Sequence, residues 1–143
     1  MEISVNYVAV LVAAIAAFAV GFVWYTMLFQ KPWAKEMGMN MEDMKNDKKA
    51  QAAAGKAYMF SLVLSLLTCY MMAHVMEMSQ TVFGYAPITS GITTAVSMWI
   101  GFVGPIQALD SLFGKSSWKL WSINSGYQLI ALIVMGIVIG LFN

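Results

Sequence analysis

Residues 30–56, QKPWAKEMGMNMEDMKNDKKAQAAAGK, form the one strongly polar stretch of a 143-residue chain. They hold six of the eight lysines and four of the seven acidic residues, and they separate two long apolar runs. The whole chain is 60% hydrophobic and 10% charged, whereas a soluble domain typically has about 25% charged residues. So few polar side chains could not cover a water-soluble core, and the sequence therefore predicts a membrane protein.

The apolar runs predict an all-α, polytopic fold with four transmembrane helices in one membrane domain, residues 1–143. A helix needs about 20 apolar residues to cross the hydrocarbon core of a bilayer. The acidic residue Glu2 stands where a signal peptide would carry basic residues, so the first run is interpreted as a span rather than a cleaved leader. An uncharged loop is expected at residues 79–87. The predicted spans are residues 5–29, 57–78, 88–112 and 118–142.

The polar stretch, residues 30–56, predicts a short amphipathic helix beside the bilayer. Pro32 suits the first turn of a helix and Gly38 suits a C-terminal stop. A second helix is expected from Met41, with Asn40 as its N-cap, and good helix formers predict that it runs without a break into the second span. Because lysine-rich loops tend to stay in the cytoplasm, this loop is predicted to be cytoplasmic and both termini extracytoplasmic.

Small residues recur at four-residue spacing in the first and fourth spans. This spacing places them on one helix face, where the backbone of another helix can approach closely. Four helices enclose little volume for a pathway through one subunit, so these faces are also interpreted as surfaces for a homo-oligomer. The residues are Ala9, Ala13, Ala17 and Gly21 in the first span and Gly136 and Gly140 in the fourth.

Polar side chains fall at one predicted depth near the lysine-rich side of the bilayer. Polar groups inside a membrane are costly and usually face a bundle interior, a partner or water. Residues three or four apart share a helix face, and this spacing relates Gln107 to Asp110 and Asn124 to Gln128. Together with Tyr25, these four residues predict a cytoplasm-facing vestibule in an oligomeric channel or transporter for an ion, proton or small polar solute. Asp110 would supply its charge.

A structural or accessory membrane protein without transport activity is the alternative. In that case Asp110 pairs with a nearby lysine (Lys31, Lys115 or Lys119), and the two amides of the fourth span hold helices together. Tryptophans cluster at the predicted cytoplasmic boundary, as an interfacial belt should. They are Trp24, Trp33, Trp118 and Trp121.

Soft donor atoms in the second span raise a metal-binding hypothesis. Thioether and neutral imidazole groups suit Cu(I), and Met72, His74 and Met76 lie within five residues. A Met-x-x-x-Met helix combined with a Gly-x-x-x-Gly helix is similar to the arrangement in high-affinity copper transporters, although those have three spans. Packing is the competing explanation, because the chain has 13 methionines and methionine readily fills irregular gaps.

Enzymatic and nucleic-acid-binding functions are not expected. The exposed segments are too short for an independent active site, and neither a phosphate-binding loop nor a recognised nucleophile pattern accompanies the single histidine. The net charge is +1 and the chain has no arginine, so there is no basic patch for nucleic acid. No cofactor is expected. The expected partners are the lipid bilayer, further copies of the chain and a small ion or solute.

Aromatic, glycine and lysine residues form a recurring pattern along nearly the whole chain. They are Gly21-Phe-Val-Trp24-Tyr25, Phe29, Lys31, Trp33, Lys35, Gly38, Trp99-Ile-Gly-Phe102, Trp118-Lys-Leu, Asn124-Ser-Gly-Tyr127 and Met135-Gly136. This pattern resembles that of a bacterial membrane family catalogued as domain of unknown function seventeen-sixty-one. The resemblance implies a small protein with four spans in the bacterial inner membrane. The name of the family assigns no activity, so no catalytic residue follows from it.

Overall fold

Four long helical segments dominate the computed structural model, which describes residues 4–143 and has no β-strand within that range. Each is long and apolar enough to cross a bilayer, which confirms the predicted all-α, four-span class. The first three residues of the predicted domain lie outside the described range. The elements are α1 (Tyr7–Val23), a first π turn (Trp24–Leu28), α2 (Gln30–Glu36), α3 (Met41–Asn46), α4 (Lys48–Phe83), α5 (Pro87–Met98), a second π turn (Trp99–Val103), α6 (Gly104–Phe113) and α7 (Trp118–Phe142).

Capping groups mark the ends of the long helices. The Asn6 side chain accepts hydrogen bonds from the first turn of α1, and the Ser117 hydroxyl accepts one from the Leu120 N–H at the start of α7. At the end of α4, Gly84 has a φ of +67°, a conformation that glycine adopts at little cost. Pro87 then opens α5, where its missing N–H leaves no hydrogen bond unmade.

The helix predicted to run unbroken from Met41 into the second span is interrupted at Asp47. The Asp47 carboxylate accepts hydrogen bonds from the backbone N–H groups of Lys49 and Ala50, at 2.9 and 3.3 Å. It therefore ends α3 and caps a new helix, because a short acidic side chain competes with the helical hydrogen bonds of its own backbone. The other end of α4 also differs from expectation. The helix continues to Phe83, so the loop predicted at residues 79–87 is reduced to residues 84–86.

The small-residue face of α1 packs inside the chain. Ala9, Ala13 and Ala17 are fully buried, and α1 contacts both α7 and α4. A Cβ atom added to Gly21 would lie 3.0 Å from the hydroxyl oxygen of Tyr127. This face therefore brings helices together as the spacing indicates. It is not free for a second copy of the chain, so the argument for self-association through it does not hold.

The glycines of α7 meet α5 at a backbone-to-backbone crossing. A Cβ atom added to Gly136 would lie 2.5 Å from the carbonyl oxygen of Gly91, and one added to Gly140 would lie 2.8 Å from that of Pro87. Only glycine allows so close an approach. The Gly-x-x-x-Gly face is thus also occupied by a helix of the same chain, rather than being exposed for oligomer contacts.

The two ends of the bundle differ in packing. The Asn6 amide lies 3.4 Å from the carbonyl oxygen of Phe142, which places both ends of the described chain at one end, here called the terminal end. Residues 30–56 and 114–117 lie at the opposite, lysine-rich end. Large side chains fill the terminal half of the bundle and bring its helices into contact. They include Met72, Met76, Met135 and Ile139.

Candidate functional site

A cavity of about 890 Å³ lies at the lysine-rich end of the bundle. Its walls come from the first π turn and from α2, α3, α4, α6 and α7. The volume falls in the range of about 300–1,000 Å³ that is typical of small-molecule sites. All five polar residues singled out in the sequence line it, namely Tyr25, Gln107, Asp110, Asn124 and Gln128.

Hydrogen bonds satisfy only part of the polar wall. The Tyr25 hydroxyl donates to the Asn124 Oδ1 atom at 3.0 Å, and this bond joins the first π turn to α7. By contrast, the Gln107 Oε1 and Ser111 Oγ atoms are buried without a partner among the described residues. These two residues are four apart on α6 and therefore share one face. A buried polar atom without a partner costs about 1–3 kcal/mol, so both atoms favour a bound group that hydrogen-bonds to them.

Asp110 is the one charged residue among the described residues that line the cavity. Its side chain is exposed, and within residues 4–143 no lysine lies at ion-pair distance from it. The predicted pairing of Asp110 with Lys31, Lys115 or Lys119 is therefore not found. Lys119 instead lies 3.9 Å from Glu36 on α2. The Ser117 hydroxyl also donates to that carboxylate, so Glu36 ties α2 to the start of α7.

The side of the cavity opposite α6 and α7 is apolar. It is contributed by the segment from α2 to the first turns of α4, and its side chains are mainly those of methionine and alanine, with the polar Gln30 at the start of α2. Aromatic rings complete the lining, and the ring centroids of Tyr25 and Trp33 lie 5.5 Å apart. The methionines and alanines are Met37, Met39, Met41, Met44, Ala50, Ala53, Ala54 and Ala57, and the aromatic residues are Tyr25, Trp33, Tyr58 and Trp121.

Two tryptophans join the π turns to α7, and the interfacial belt stays a prediction. Each π turn begins with a tryptophan whose indole N–H donates to a carbonyl of α7. Trp24 donates to Ile123 at 3.0 Å, and Trp99 donates to Ser125 at 2.8 Å. Trp33 and Trp121 line the cavity. Sequence reasoning missed the π turns, because one extra residue in a helix leaves no periodic signal, yet π turns occur frequently at functional sites.

Ser111 is a further site residue that the sequence analysis did not single out. It lies four residues after Gln107, and this spacing was the available signal. Ser116 and the four methionines carry no such signal, because their positions in the cavity depend on how α2 and α3 fold over the bundle.

The three residues of the metal hypothesis do not converge. Met72 and Met76 are 0% exposed and belong to the core. His74 lies two positions from each, which is about 200° around a helix. Its Nδ1 atom lies 2.9 Å from the carbonyl oxygen of Tyr70. Among the described residues no group of three or more His, Cys, Asp or Glu side chains is arranged to hold a metal. The structure therefore supports packing as the role of these methionines.

The Tyr25–Asn124 hydrogen bond gives a first testable prediction. Replacing Tyr25 by phenylalanine should lower the free energy of unfolding by about 1 kcal/mol, because the Asn124 oxygen loses its donor while the ring contacts stay. The measurement is unfolding of the detergent-solubilised protein followed by circular dichroism. Tyr85→Phe is the control, since Tyr85 is 43% exposed and its hydroxyl has no hydrogen bond within the described chain. Equal effects of the two substitutions would contradict the assignment.

Comparison with known proteins identifies a family but no characterised relative. A family model described as "Protein of unknown function (DUF1761)" matches residues 8–140. This range includes every residue that lines the cavity. No curated protein matches the chain, and no solved structure matches it.

Proposed function

We propose, from the premise that this chain belongs to the DUF1761 family, that it binds a small polar solute or cation in the cavity at its lysine-rich end. The family description assigns no activity, so the proposal rests on the site itself. The observation that carries it is the polar wall of α6. Gln107 and Ser111 have buried oxygen atoms without protein partners at the edge of a ligand-sized cavity. An accessory protein would be expected to bury these groups against one another.

Binding at this site is the first step of passage across the membrane. The terminal half of the bundle is filled by side chains such as Met72 and Ile139, so a solute entering from the lysine-rich end meets a closed half. Passage therefore requires a second arrangement of the helices, as in alternating access. All the residues that define the cavity belong to one chain, so the proposal does not require the predicted homo-oligomer, and no enzymatic step is part of it.

The same proposal includes an orientation. Eight lysines are the only basic residues besides His74, and all eight belong to the lysine-rich segment, the 114–117 turn or the first turn of α7. Since loops rich in lysine are retained in the cytoplasm, we place this end on the cytoplasmic side of a bacterial inner membrane. Both chain ends then lie on the extracytoplasmic side, and the cavity opens toward the cytoplasm.

The second candidate is an accessory membrane protein that conducts nothing. It is favoured by the closed terminal half of the bundle and by the tight crossing of α5 and α7 at Gly91 and Gly136. The two candidates differ in whether any solute occupies the cavity reversibly and crosses a bilayer with the protein.

Cysteine modification tests the proposal. In a Cys69→Ser background, Ala53→Cys should react with a small hydrophilic methanethiosulfonate much faster than Ser125→Cys, because Ala53 is an exposed residue of the cavity wall. Ser125 is 1% exposed and does not line the cavity. A panel of small neutral, anionic and cationic solutes is then added. At least one should slow the modification of Ala53→Cys saturably, without slowing that of a cysteine at the exposed position Asn46.

Two outcomes would overturn the proposal of a binding site. Ala53→Cys could react as slowly as Ser125→Cys, or no solute of the panel could protect it. Uptake of a protecting solute into proteoliposomes supports passage across the membrane. Protection without uptake would assign the protein to solute binding alone.

A further inference from the structure

We propose that the ligand of the cavity is an organic ammonium ion with a compact apolar body. This inference rests on the proposed function and adds the chemical class of the solute. It draws on separate properties of the walls, namely their charge, their unpaired hydrogen-bond acceptors, their aromatic rings and their apolar side.

The charge of the cavity favours a cation. Asp110 is the charged residue that lines it, and the lysines of the described chain stay outside the wall, although six of them belong to the adjoining segment. Glu36, at the join of α2 and α7, is already engaged by Lys119 and Ser117. An anion in the cavity would face an acid and no counter-charge, whereas a cation would neutralise Asp110.

The hydrogen-bonding groups of α6 favour a donor. Asp110, Gln107 and Ser111 lie at positions three and four apart on that helix, so they share one face. An ionised carboxylate only accepts hydrogen bonds, and the unpaired atom of Gln107 is its carbonyl oxygen. A primary ammonium carries three N–H donors and no acceptor. It can therefore donate to both the Gln107 oxygen and the Asp110 carboxylate, whereas a carboxylate ligand has no N–H or O–H to donate to them.

The aromatic rings also favour an organic cation. Tyr25, Trp33, Tyr58 and Trp121 all line the cavity, and the rings of Tyr25 and Trp33 meet edge to face, with an interplanar angle of 64°. The face of an aromatic ring attracts a cation within about 6 Å of its centroid. Rings of this kind commonly recognise ammonium groups, because an alkylated cation loses less hydration than a metal ion when it contacts them.

The wall formed by the segment from α2 to α4 favours an apolar group on the rest of the ligand. Met41, Met44 and Ala53 present apolar groups to the cavity. A sugar or a hydrated metal ion would leave its polar groups without partners against this wall, at a cost in desolvation. An alkyl or aryl body would bury apolar area there instead. The mobile, polarisable side chains of methionine also adapt to different apolar shapes.

The test compares three probes of matched size on the purified full-length protein in detergent, with binding followed by calorimetry. The probes are 2-phenylethylammonium, the neutral 2-phenylethanol and the anionic 3-phenylpropanoate. The ammonium should bind saturably and about fivefold more tightly than the alcohol, because an ion pair with an exposed carboxylate makes a modest net contribution. The anion should bind most weakly of the three.

Two variants with the same chemical change identify the carboxylate responsible. Asp110→Asn keeps the shape of an exposed side chain, and it should weaken binding of the ammonium about fivefold while leaving binding of the alcohol unchanged. Asp43→Asn is the matched control. Asp43 is exposed on α3 and does not line the cavity, so its substitution should leave the affinity for all three probes unaltered. Thermal unfolding of both variants checks that they are folded.

The outcomes separate this inference from the proposed function. If the alcohol or the anion binds as tightly as the ammonium, or if Asp110→Asn binds like the unmodified protein, the ligand is not an ammonium ion. The same conclusion follows if the ammonium does not bind while another solute protects Ala53→Cys from modification, and in that case the proposed function stands. If no solute protects Ala53→Cys, both proposals fall.

Discussion

Replacing Gly91 by alanine is expected to lower the free energy of unfolding by about 3 kcal/mol, the upper end of the usual cost of overpacking. The new Cβ atom would overlap the backbone carbonyl of Gly136 on α7. A flexible side chain could move aside, but a helical carbonyl group can move only with its helix. The substitution therefore separates α5 from α7, which contact each other more extensively than any other pair of elements in the described chain.

The measurement is unfolding of the purified protein in detergent, by heat or by added sodium dodecyl sulfate, with helicity followed by circular dichroism. Gly55→Ala is the matched control, since an added Cβ atom there meets nothing within 4 Å. It should raise stability by about 1 kcal/mol, because alanine is the better helix former. If Gly91→Ala behaved like Gly55→Ala, the close crossing would be wrong.

Gly136→Ala extends the same test to the other side of the crossing. A Cβ atom at that position would come 2.5 Å from the Gly91 carbonyl oxygen and 2.8 Å from the Met72 side chain. The double variant Gly91→Ala, Gly136→Ala should cost less than the sum of the single variants, because helices already pushed apart have room for the second Cβ atom. Strict additivity would indicate that the two glycines act at separate contacts.

Trp99→Ala is expected to have an effect of similar size, about 3 kcal/mol, at the lower end of the cost of removing a tryptophan from a core. The Trp99 ring packs against the buried cluster, and its indole N–H donates to the Ser125 carbonyl oxygen at 2.8 Å. Because Trp99 opens the second π turn, its loss also removes a contact that holds this turn against α7.

Trp118→Ala removes the same number of atoms from a side chain that is 53% exposed, so it is the control and should cost much less. Trp99→Phe keeps an aromatic ring but removes the indole N–H, so it separates the hydrogen bond from the packing. It should lower the free energy of unfolding by about 1 kcal/mol more than the smaller ring area alone would. The same unfolding measurement applies to all three variants. A Trp118→Ala effect equal to that of Trp99→Ala would refute the anchoring role of Trp99.

Features that depend on neighbouring residues in the chain could be predicted from the sequence. The four-span class follows from the length and polarity of each apolar run, since a helix in a bilayer satisfies its own backbone hydrogen bonds. The Asn40 cap and the break at Asp47 show the limit of such reasoning. Both depend on neighbouring residues only, and the Asn40 cap is predicted correctly. The break is harder to predict, because the Asp47 side chain can either point to solvent within a continuous helix or cap a new helix, and in the structure it caps α4.

The grouping of the candidate site residues can also be predicted from the sequence, because the depth of a residue in the membrane follows from its position along its span. The sequence places five residues at one depth, and the structure brings all five to one cavity; they are Tyr25, Gln107, Asp110, Asn124 and Gln128. Their hydrogen-bond and ion-pair partners cannot be predicted in this way. The accessory-protein alternative pairs Asp110 with a lysine, but Lys119 pairs with Glu36 instead, because the fold of α2 brings that carboxylate to the start of α7.

The amino-acid pattern alone is enough to predict that this DUF1761 protein has four membrane-length helices, with its lysines gathered at one end. The three-dimensional packing was needed to show that the small-residue faces pack within one chain, that Trp24 and Trp99 anchor two π turns, and that methionines from the lysine-rich segment line one side of a cavity. The difference comes from the distance along the chain over which each interaction acts. Hydrophobic length and capping act within a segment, whereas the choice of facing helices depends on the shapes of all four packed together.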